Sequence, residues 1–455
     1  MTSVSRTLLT CTIALALLLS LAPLASGKDL RTAKPQREGV SAERLARIDA
    51  HMERQVTKGV MAGGQGMIAR NGRVIYNQTW GMSDREAGTP MAANAIHRIY
   101  SMTKPVTGVA LMMLYEEGKF FLNDPVARYI PELANLQVAV STADSAAHVV
   151  SDGTASIGSG TGDESLLGQT REPRRQPTVR DLMRHTGGFT YGIFGETEVD
   201  ALYREADVLG QPDSKGFIEA LGKMPLQYEP GTRWHYSVSV DIQGYLVEVL
   251  SGMSLGEFMR KRIFEPLAMD DTSFRIAPDN LERLAQLYSP VDTQISVDGV
   301  WQRNQSLELE VADPEASRRY IEGGGFESGG GGLLSTADDY MRFCLMLLNG
   351  GELNGARLLS PKSVELMTTD HMASTGNVFG RPGVGFGLNF AVLEELGQYG
   401  ELGSVGEYNW GGAAGTRFWI DPKEELIGIF MVQSIPHQTR LGSEFKLLAY
   451  QALVE

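Results

Sequence analysis

The sequence predicts an α/β protein of the α+β type: one antiparallel sheet flanked by helices, formed from both chain ends, with a mostly helical domain inserted between them. Three observations carry that expectation. Strand patterns flank a tight turn at Asn71-Gly72 near the start. Helical spacing dominates the middle. Strand-like alternation returns from Gly385 onward. The order sheet, helices, sheet brings the two ends into one sheet. The expected sheet domain covers 28–110 and 325–455, and the inserted helical domain covers 111–324. A length of 455 residues suits such a two-part layout better than one small core.

The first 27 residues read as a secretory signal peptide. Arg6 supplies positive charge, Leu8 to Leu24 is an apolar run, and Ala25-Ser26-Gly27 offers small residues for cleavage. A retained anchor is the alternative. The run is short for a span of about 20 residues, and Pro23 sits near its end. The mature protein is therefore expected to be exported, periplasmic or secreted, with no stable membrane insertion. Cys11 leaves with the signal. Cys344 stays alone on an apolar helical face, so no internal disulfide forms.

The first helix of the mature chain is expected from Ser41, with Leu45, Ile48, Met52 and Val56 on one face and Gly59 as its stop. Gly66–Arg70 and Arg73–Asn77 then make a hairpin about Asn71-Gly72. A second helix runs from Thr103, with Val106, Val109, Ala110, Met113 and Leu114 on one face, to Gly118. Residues 136–177, rich in Ser, Gly, Thr, Ala and Asp, read as a flexible surface excursion. A short helix from Thr178, with Asp181 three positions on, ends at His185-Thr186-Gly187-Gly188. Residues 215–265 are mostly helical in pattern. Residues 321–332 are glycine-rich, and Ser335 is expected to cap a helix reaching Asn349. Strands are expected at Gly385–Leu393, Thr416–Ile420 and Leu426–Gln433, and a last helix at 440–453.

Net charge is −14, with no compensating basic cluster. The densest stretch holds only Arg171, Arg174, Arg175 and Arg180. A phosphate backbone would be repelled, so nucleic acid is excluded as a partner. The histidines are scattered without paired metal spacing, so neither metal nor cofactor is expected.

Three stretches point to chemistry. Ser101-Met102-Thr103-Lys104 is an S-x-x-K pattern. At helical spacing the ammonium can reach the serine oxygen, and a helix start favours a developing alkoxide. Pro105 suits a first turn. Ser443-Glu444-Phe445-Lys446 also fits the pattern, but opens the terminal helix with no chemical residues after it; it reads as a capping serine. The second stretch is Tyr236-Ser237-Val238, after a Pro230-Gly231 turn that would present Tyr236 at a helix start. A phenol beside an ammonium can lose its proton below its usual value near 10 and act as a base. A buried, hydrogen-bonded tyrosine is the plainer reading. The third is Trp410-Gly411-Gly412-Ala413. Its small residues let backbone approach a substrate, and the Ala413 N–H could join that of Ser101 in an oxyanion hole. A turn or bulge is the plainer reading here.

In this order the three stretches resemble the class C β-lactamase superfamily, most closely its family VIII carboxylesterases. Val179–Gly188, Tyr228-Glu229-Pro230-Gly231 and Gly329–Asp339 support the resemblance, which covers roughly residues 38–453. It implies a β-lactamase or penicillin-binding transpeptidase-like fold, with the site between sheet and helical domains. It implies acyl-enzyme hydrolysis of a small-molecule ester or amide, with Ser101 as nucleophile and Lys104 and Tyr236 managing its proton. Trp410, Gly411, Gly412 and Ala413 would form the oxyanion and substrate pocket. Two departures matter. Val238 stands where the β-lactamase pattern has asparagine, and Trp410-Gly411-Gly412 where it has Lys-Thr-Gly. That loss favours neutral esters, although Arg417 could restore some anion recognition. Asp241, common after the tyrosine in the esterases, is a second offered substrate contact. The expectation is a carboxylesterase. The alternatives are a β-lactamase or D-amino-acid-specific peptidase, or a non-catalytic binding or sensor protein.

Other signals carry less. Gly252-Met253-Ser254-Leu255-Gly256 matches a nucleophile elbow, but a helical pattern precedes it where the elbow requires a strand, so Ser254 reads as a cap. The glycines at 323–325 and 329–332 lack a following Gly-Lys-Ser/Thr and read as a loop near the site. His185 is expected to bond locally. Trp234, Trp410 and Trp419 are divided between pocket and core.

Overall fold

The structure, a computed structural model, describes residues 29–140, 169–291, 308–312, 314–372, 378–437 and 439–455. The expected signal at 1–27 lies outside the described residues, as does most of the 136–177 excursion. The described flanks of that excursion, Val138–Ala139 and Thr170–Arg171, pair antiparallel.

The central antiparallel sheet contains β1 (Gly63–Arg70), β2 (Arg73–Asp84), β3 (Thr89–Pro90), β4 (Val384–Phe386), β5 (Ala391–Leu393), β6 (Tyr408–Gly411), β7 (Arg417–Asp421) and β8 (Leu426–Val432). Their order is β4-β5-β6-β7-β8-β1-β2-β3. The chain ends meet at the β1–β8 pair, registered from Gly64 opposite Val432 to Arg70 opposite Leu426. Asn71 and Gly72 both take positive φ (53° and 72°), the geometry of a two-residue hairpin turn that matches strand twist. Every residue of β1 is buried, as its place between β2 and β8 requires.

Helices cover both faces. They include α1 (Ala42–Thr57), α2 (Thr103–Glu116), α3 (Val179–Met183), α4 (Ser239–Ser251), α5 (Ala337–Leu348) and α6 (Leu441–Tyr450). On one face Ile68, Trp80, Trp419 and Phe430 pack with Leu45, Ile48 and Met52 of α1 and Phe445 of α6. Each such side chain contributes roughly 1.5–3 kcal/mol by leaving water. A Cβ on Gly66 would lie 2.5 Å from the Phe445 ring, so this glycine lets α6 close on β1. On the other face Met67, Ala69, Ile427 and Ile429 join the core that contains α2, α4 and α5 side chains. Helix α2 is buried from Thr103 to Leu114. It runs through position 110, so the expected junction between the two parts is a buried helix.

Several boundaries differ from the sequence pattern. The expected strand over 385–393 is two, β4 and β5, because Asn389 takes φ 69° and turns the chain. Thr336 caps α5, accepting from the Asp339 amide at 3.2 Å, whereas Ser335 belongs to a short strand pair with His97. The 215–265 region is broken: Ser214–Leu221 is helical, and helix resumes only at α4. Pro225, Pro230 and Gly231 fall in the gap, and Gly231 has φ 85°.

Asp181 anchors the loop that leads to the site. Thr178 and Asp181 form a capping box on α3. The buried carboxylate also accepts from Arg175, from Arg184 at 3.1 Å and from the Thr186 hydroxyl at 2.9 Å. Burial alone would raise its pKa. Hydrogen bonds from Arg175 and Thr178 outweigh burial and hold it at about 2, against 3.8 when free. A depressed carboxyl stabilises the fold above its free value and loses that contribution as pH falls through the folded one. Asp181→Asn is therefore expected to cost about 3 kcal/mol near neutral pH, the scale for breaking a buried pair. The gap to wild type should shrink as pH drops from 3.8 to about 2. Denaturant titration across that range measures it, and a gap independent of pH would contradict the assignment.

Candidate active site

Ser101 sits in a 3₁₀ turn, Tyr100–Met102, that runs directly into α2. Tyr100 takes φ 43°, a strained value for a bulky residue and one that recurs at functional turns. Lys104 follows one turn along the helix and is only 1% exposed. Its ammonium nitrogen donates to Ser101 Oγ at 3.2 Å, to the Tyr191 hydroxyl at 2.8 Å and to the Gly330 carbonyl at 2.6 Å. It also lies 4.6 Å from the Tyr236 ring centre.

The Tyr236 hydroxyl lies 2.6 Å from Ser101 Oγ, although the two are 135 residues apart in sequence. Backbone pairing places it: the His235 amide donates to the His185 carbonyl at 2.8 Å, and α4 begins just after Val238. Aromatic contacts fix the ring, with His185 at 5.0 Å, Phe379 at 5.4 Å and Trp410 at 5.7 Å between centroids. His185 is fully buried. Burial first, then the Lys104 charge, holds its pKa well below the usual value, so a neutral imidazole packs behind the phenol.

The end of β6 closes the group. A Cβ on Gly412 would lie 2.4 Å from the Ile99 carbonyl and 2.3 Å from Thr416 Oγ1, so only glycine fits. Thr416 Oγ1 donates to that same carbonyl at 3.3 Å. The β6–β7 turn is thus pinned two residues before Ser101. Ser101, Trp410, Gly411, Gly412 and Ala413 all line one cavity of about 620 Å³. Ile193, Phe194 and Phe379 also line it and are more than half exposed.

Tyr191 went unnoticed in the sequence. It lies 87 residues from Lys104, and a tyrosine after a glycine-rich turn has no distinctive pattern. The turn itself was visible. Gly188 takes φ 88°, and a Cβ there would sit 2.1 Å from the Tyr228 carbonyl. That close approach aims the following residues back at Lys104. Burial foremost, with Asp241 and Tyr236 adding to it, pushes the Tyr191 pKa well up, so this phenol stays protonated.

Asp241 is not placed as a substrate contact. It is 3% exposed, and its carboxylate accepts from the Ser328 hydroxyl and from the Gly330 amide at 3.0 Å. It holds the segment whose carbonyl receives Lys104. Arg417 does line the cavity and donates to Ser443 Oγ at 2.8 Å. Ser443 therefore bonds this arginine and does not cap α6, whose N-cap is Arg440. Its pattern partner Lys446 is buried in an ion pair with Glu407 at 2.6 Å. Ser254 caps a short helix after α4, accepting from the Glu257 amide at 3.2 Å, as its helical context indicated. Trp419 is core, packed on Phe445 and Tyr450. Among the described residues, no group of three or more His, Cys, Asp or Glu side chains could hold a metal ion, and no helix is long and apolar enough to cross a membrane.

A family profile described as Beta-lactamase matches residues 48–451. Protein Rv1367c of Mycobacterium tuberculosis is 33% identical over 387 residues, which is 83% of this chain and 87% of that protein. Esterase EstB of Burkholderia gladioli is 28% identical over 397 residues, or 84% and 88% of the two chains. Among solved structures, EstCE1, described as a hydrolase with promiscuous acyltransferase activity, superposes with a TM-score of 0.71 at 23% identity. It covers 90% of this chain and 99% of its own. That last likeness is one of fold.

Proposed function

The chain belongs to the beta-lactamase family, and on that premise we propose that it is a serine hydrolase acting through an acyl-enzyme on small carboxylic esters. The observation that carries this reading is the double contact on one hydroxyl: Lys104 at 3.2 Å and Tyr236 at 2.6 Å from Ser101 Oγ. An esterase among the relatives, EstB, supports the substrate class.

The contacts suggest a division of labour. A carbonyl can only accept, and the Ser101 and Tyr191 oxygens have lone pairs to offer. Three acceptors around Lys104 thus match the three N–H bonds of an ammonium. In this division Lys104 is the orienting cation and Tyr236 the base. In the reactive state the Tyr236 hydroxyl has released its own proton to solvent, leaving a phenolate that the nearby ammonium stabilises, and that oxygen takes the Ser101 proton. Ser101 Oγ then bonds to the ester carbon, and the carbonyl electrons move to oxygen. The amides of Ser101 and Ala413 would hold that oxyanion. Collapse breaks the bond to the alcohol, which leaves with the proton from Tyr236. Water repeats the sequence: Tyr236 takes its proton, the acid is released, and Ser101 recovers its hydrogen.

Short-chain nitrophenyl esters should be turned over, and a chromogenic cephalosporin should be turned over little, because Val238 and Trp410 replace the groups that grip a β-lactam. Parallel spectrophotometric assays test this. Fast cephalosporin hydrolysis without esterase activity would sink the ester reading while keeping the nucleophile.

A further inference from the structure

We infer that the cavity takes esters bearing a second, negatively charged group, a carboxylate remote from the bond that is cleaved. The inference rests on the hydrolase reading and narrows its substrate. Arg319, Arg381 and Arg417 all line the cavity, and none of its described lining residues is Asp or Glu. In a chain with 55 acidic and 41 basic residues, such a wall runs against composition. The loss of the Lys-Thr-Gly lysine pointed to neutral esters. The arginines return positive charge to the pocket from other parts of the fold.

Among the described residues, each guanidinium has N–H groups to spare. Arg381 is exposed, and its side chain makes no ion pair among the described residues. Arg319 stacks on the Tyr320 ring at 4.8 Å and donates to that residue's hydroxyl at 2.8 Å, with the Gly331 carbonyl at 3.5 Å. Among the described residues, those contacts leave several of its five N–H bonds unused. Arg417 stands opposite Gly411 in the β6–β7 ladder, and Gly411 has no side chain to screen it. Its partner is the neutral Ser443 hydroxyl. The buried carboxylate that feels the Arg417 charge, Glu407, is already held by Lys446 and Tyr450. A planar guanidinium binds a carboxylate through two parallel hydrogen bonds. Phe194, Phe326, Phe379 and Trp410 line the same cavity. Their apolar surface lowers the local dielectric and strengthens that attraction.

Matched ester pairs test it. One pair is 4-nitrophenyl butyrate and mono-4-nitrophenyl glutarate, which differ by a carboxylate on the acyl side. The other is phenyl acetate and 4-acetoxybenzoate, which differ on the leaving-group side. Each rate is divided by that of alkaline hydrolysis to remove intrinsic reactivity. In at least one pair, kcat/KM for the anionic member should exceed its neutral partner by about tenfold or more at low salt. The advantage should shrink in about 1 M salt, where the screening length falls to about 3 Å. Arg381→Gln and Arg319→Gln should each lower the anionic-to-neutral ratio. Arg417→Lys, which keeps the charge and removes the fork, should lower it less than Arg417→Gln. Neutral esters turned over as fast as anionic ones in both pairs, or ratios unmoved in all the variants, would overturn the inference and leave the hydrolase standing. No turnover of any of the four esters would remove both.

Discussion

Replacing Ser101 with alanine is expected to lower ester kcat/KM by about 10⁴–10⁶-fold, the range for losing a nucleophile that acts as a unit with its base. The change removes one oxygen at the start of α2. Lys104 keeps two of its acceptors, the Tyr191 hydroxyl and the Gly330 carbonyl, so the buried ammonium remains solvated by the protein. The fold should persist, with a melting temperature close to wild type. Ser254→Ala is the paired control. That serine lies in a nucleophile-elbow pattern, and its oxygen already serves the Glu257 amide. Loss of its cap should cost about 1 kcal/mol of stability and no catalysis. A Ser254→Ala protein without activity beside an active Ser101→Ala protein would reverse the assignment.

The second large effect is expected from Tyr236→Phe. The ring would stay, held against His185, Phe379 and Trp410. Only the hydroxyl 2.6 Å from Ser101 Oγ would go. Removing a positioned base costs about 10²–10⁴-fold in rate. Single-turnover measurements should show both acylation and deacylation slowed, because the same oxygen receives the proton of Ser101 and later that of water. A variant that loses only KM would assign Tyr236 to substrate packing. A variant with full activity would return the base role to Lys104.

Local signals in the sequence were legible where short-range physics decides the outcome. Asn71-Gly72 required positive φ at two adjacent positions, so the hairpin followed, with Arg70 opposite Arg73 and Ala69 opposite Val74, although the ladder shifts register between Ala69 and Ile68. The α1 stripe of Leu45, Ile48 and Met52 met the sheet as its spacing indicated. The α3 capping box formed because Thr178 and Asp181 satisfy each other's amides locally. Legibility failed where a long-range partner chose between local options. Ser335 and Thr336 can each cap a helix, and strand pairing with His97 claims the first. Apolar alternation ran unbroken across 385–393, with nothing to mark that Asn389 would turn.

The candidate site divides along the same line. Ser101, Lys104 and Tyr236 belong to patterned stretches, and the fold brings them within hydrogen-bonding distance. Tyr191 carries no pattern; its role comes from a loop that returns across the molecule to Lys104. Asp241 is expected to face substrate only through the resemblance to esterases that carry an aspartate after the tyrosine. Helix α4 turns it inward instead, where the Ser328 hydroxyl and the Gly330 amide donate to one of its oxygens. The three arginines of the cavity come from segments that share no motif. Their convergence is a property of the fold alone.

The most direct measurement is mass-spectrometric mapping of the adduct formed by a fluorophosphonate, a reagent that bonds covalently to activated serines. The account predicts a single adduct on the peptide carrying Ser101, formed far more slowly in Tyr236→Phe. An adduct on Ser254, or none in a preparation that still hydrolyses esters, would contradict it.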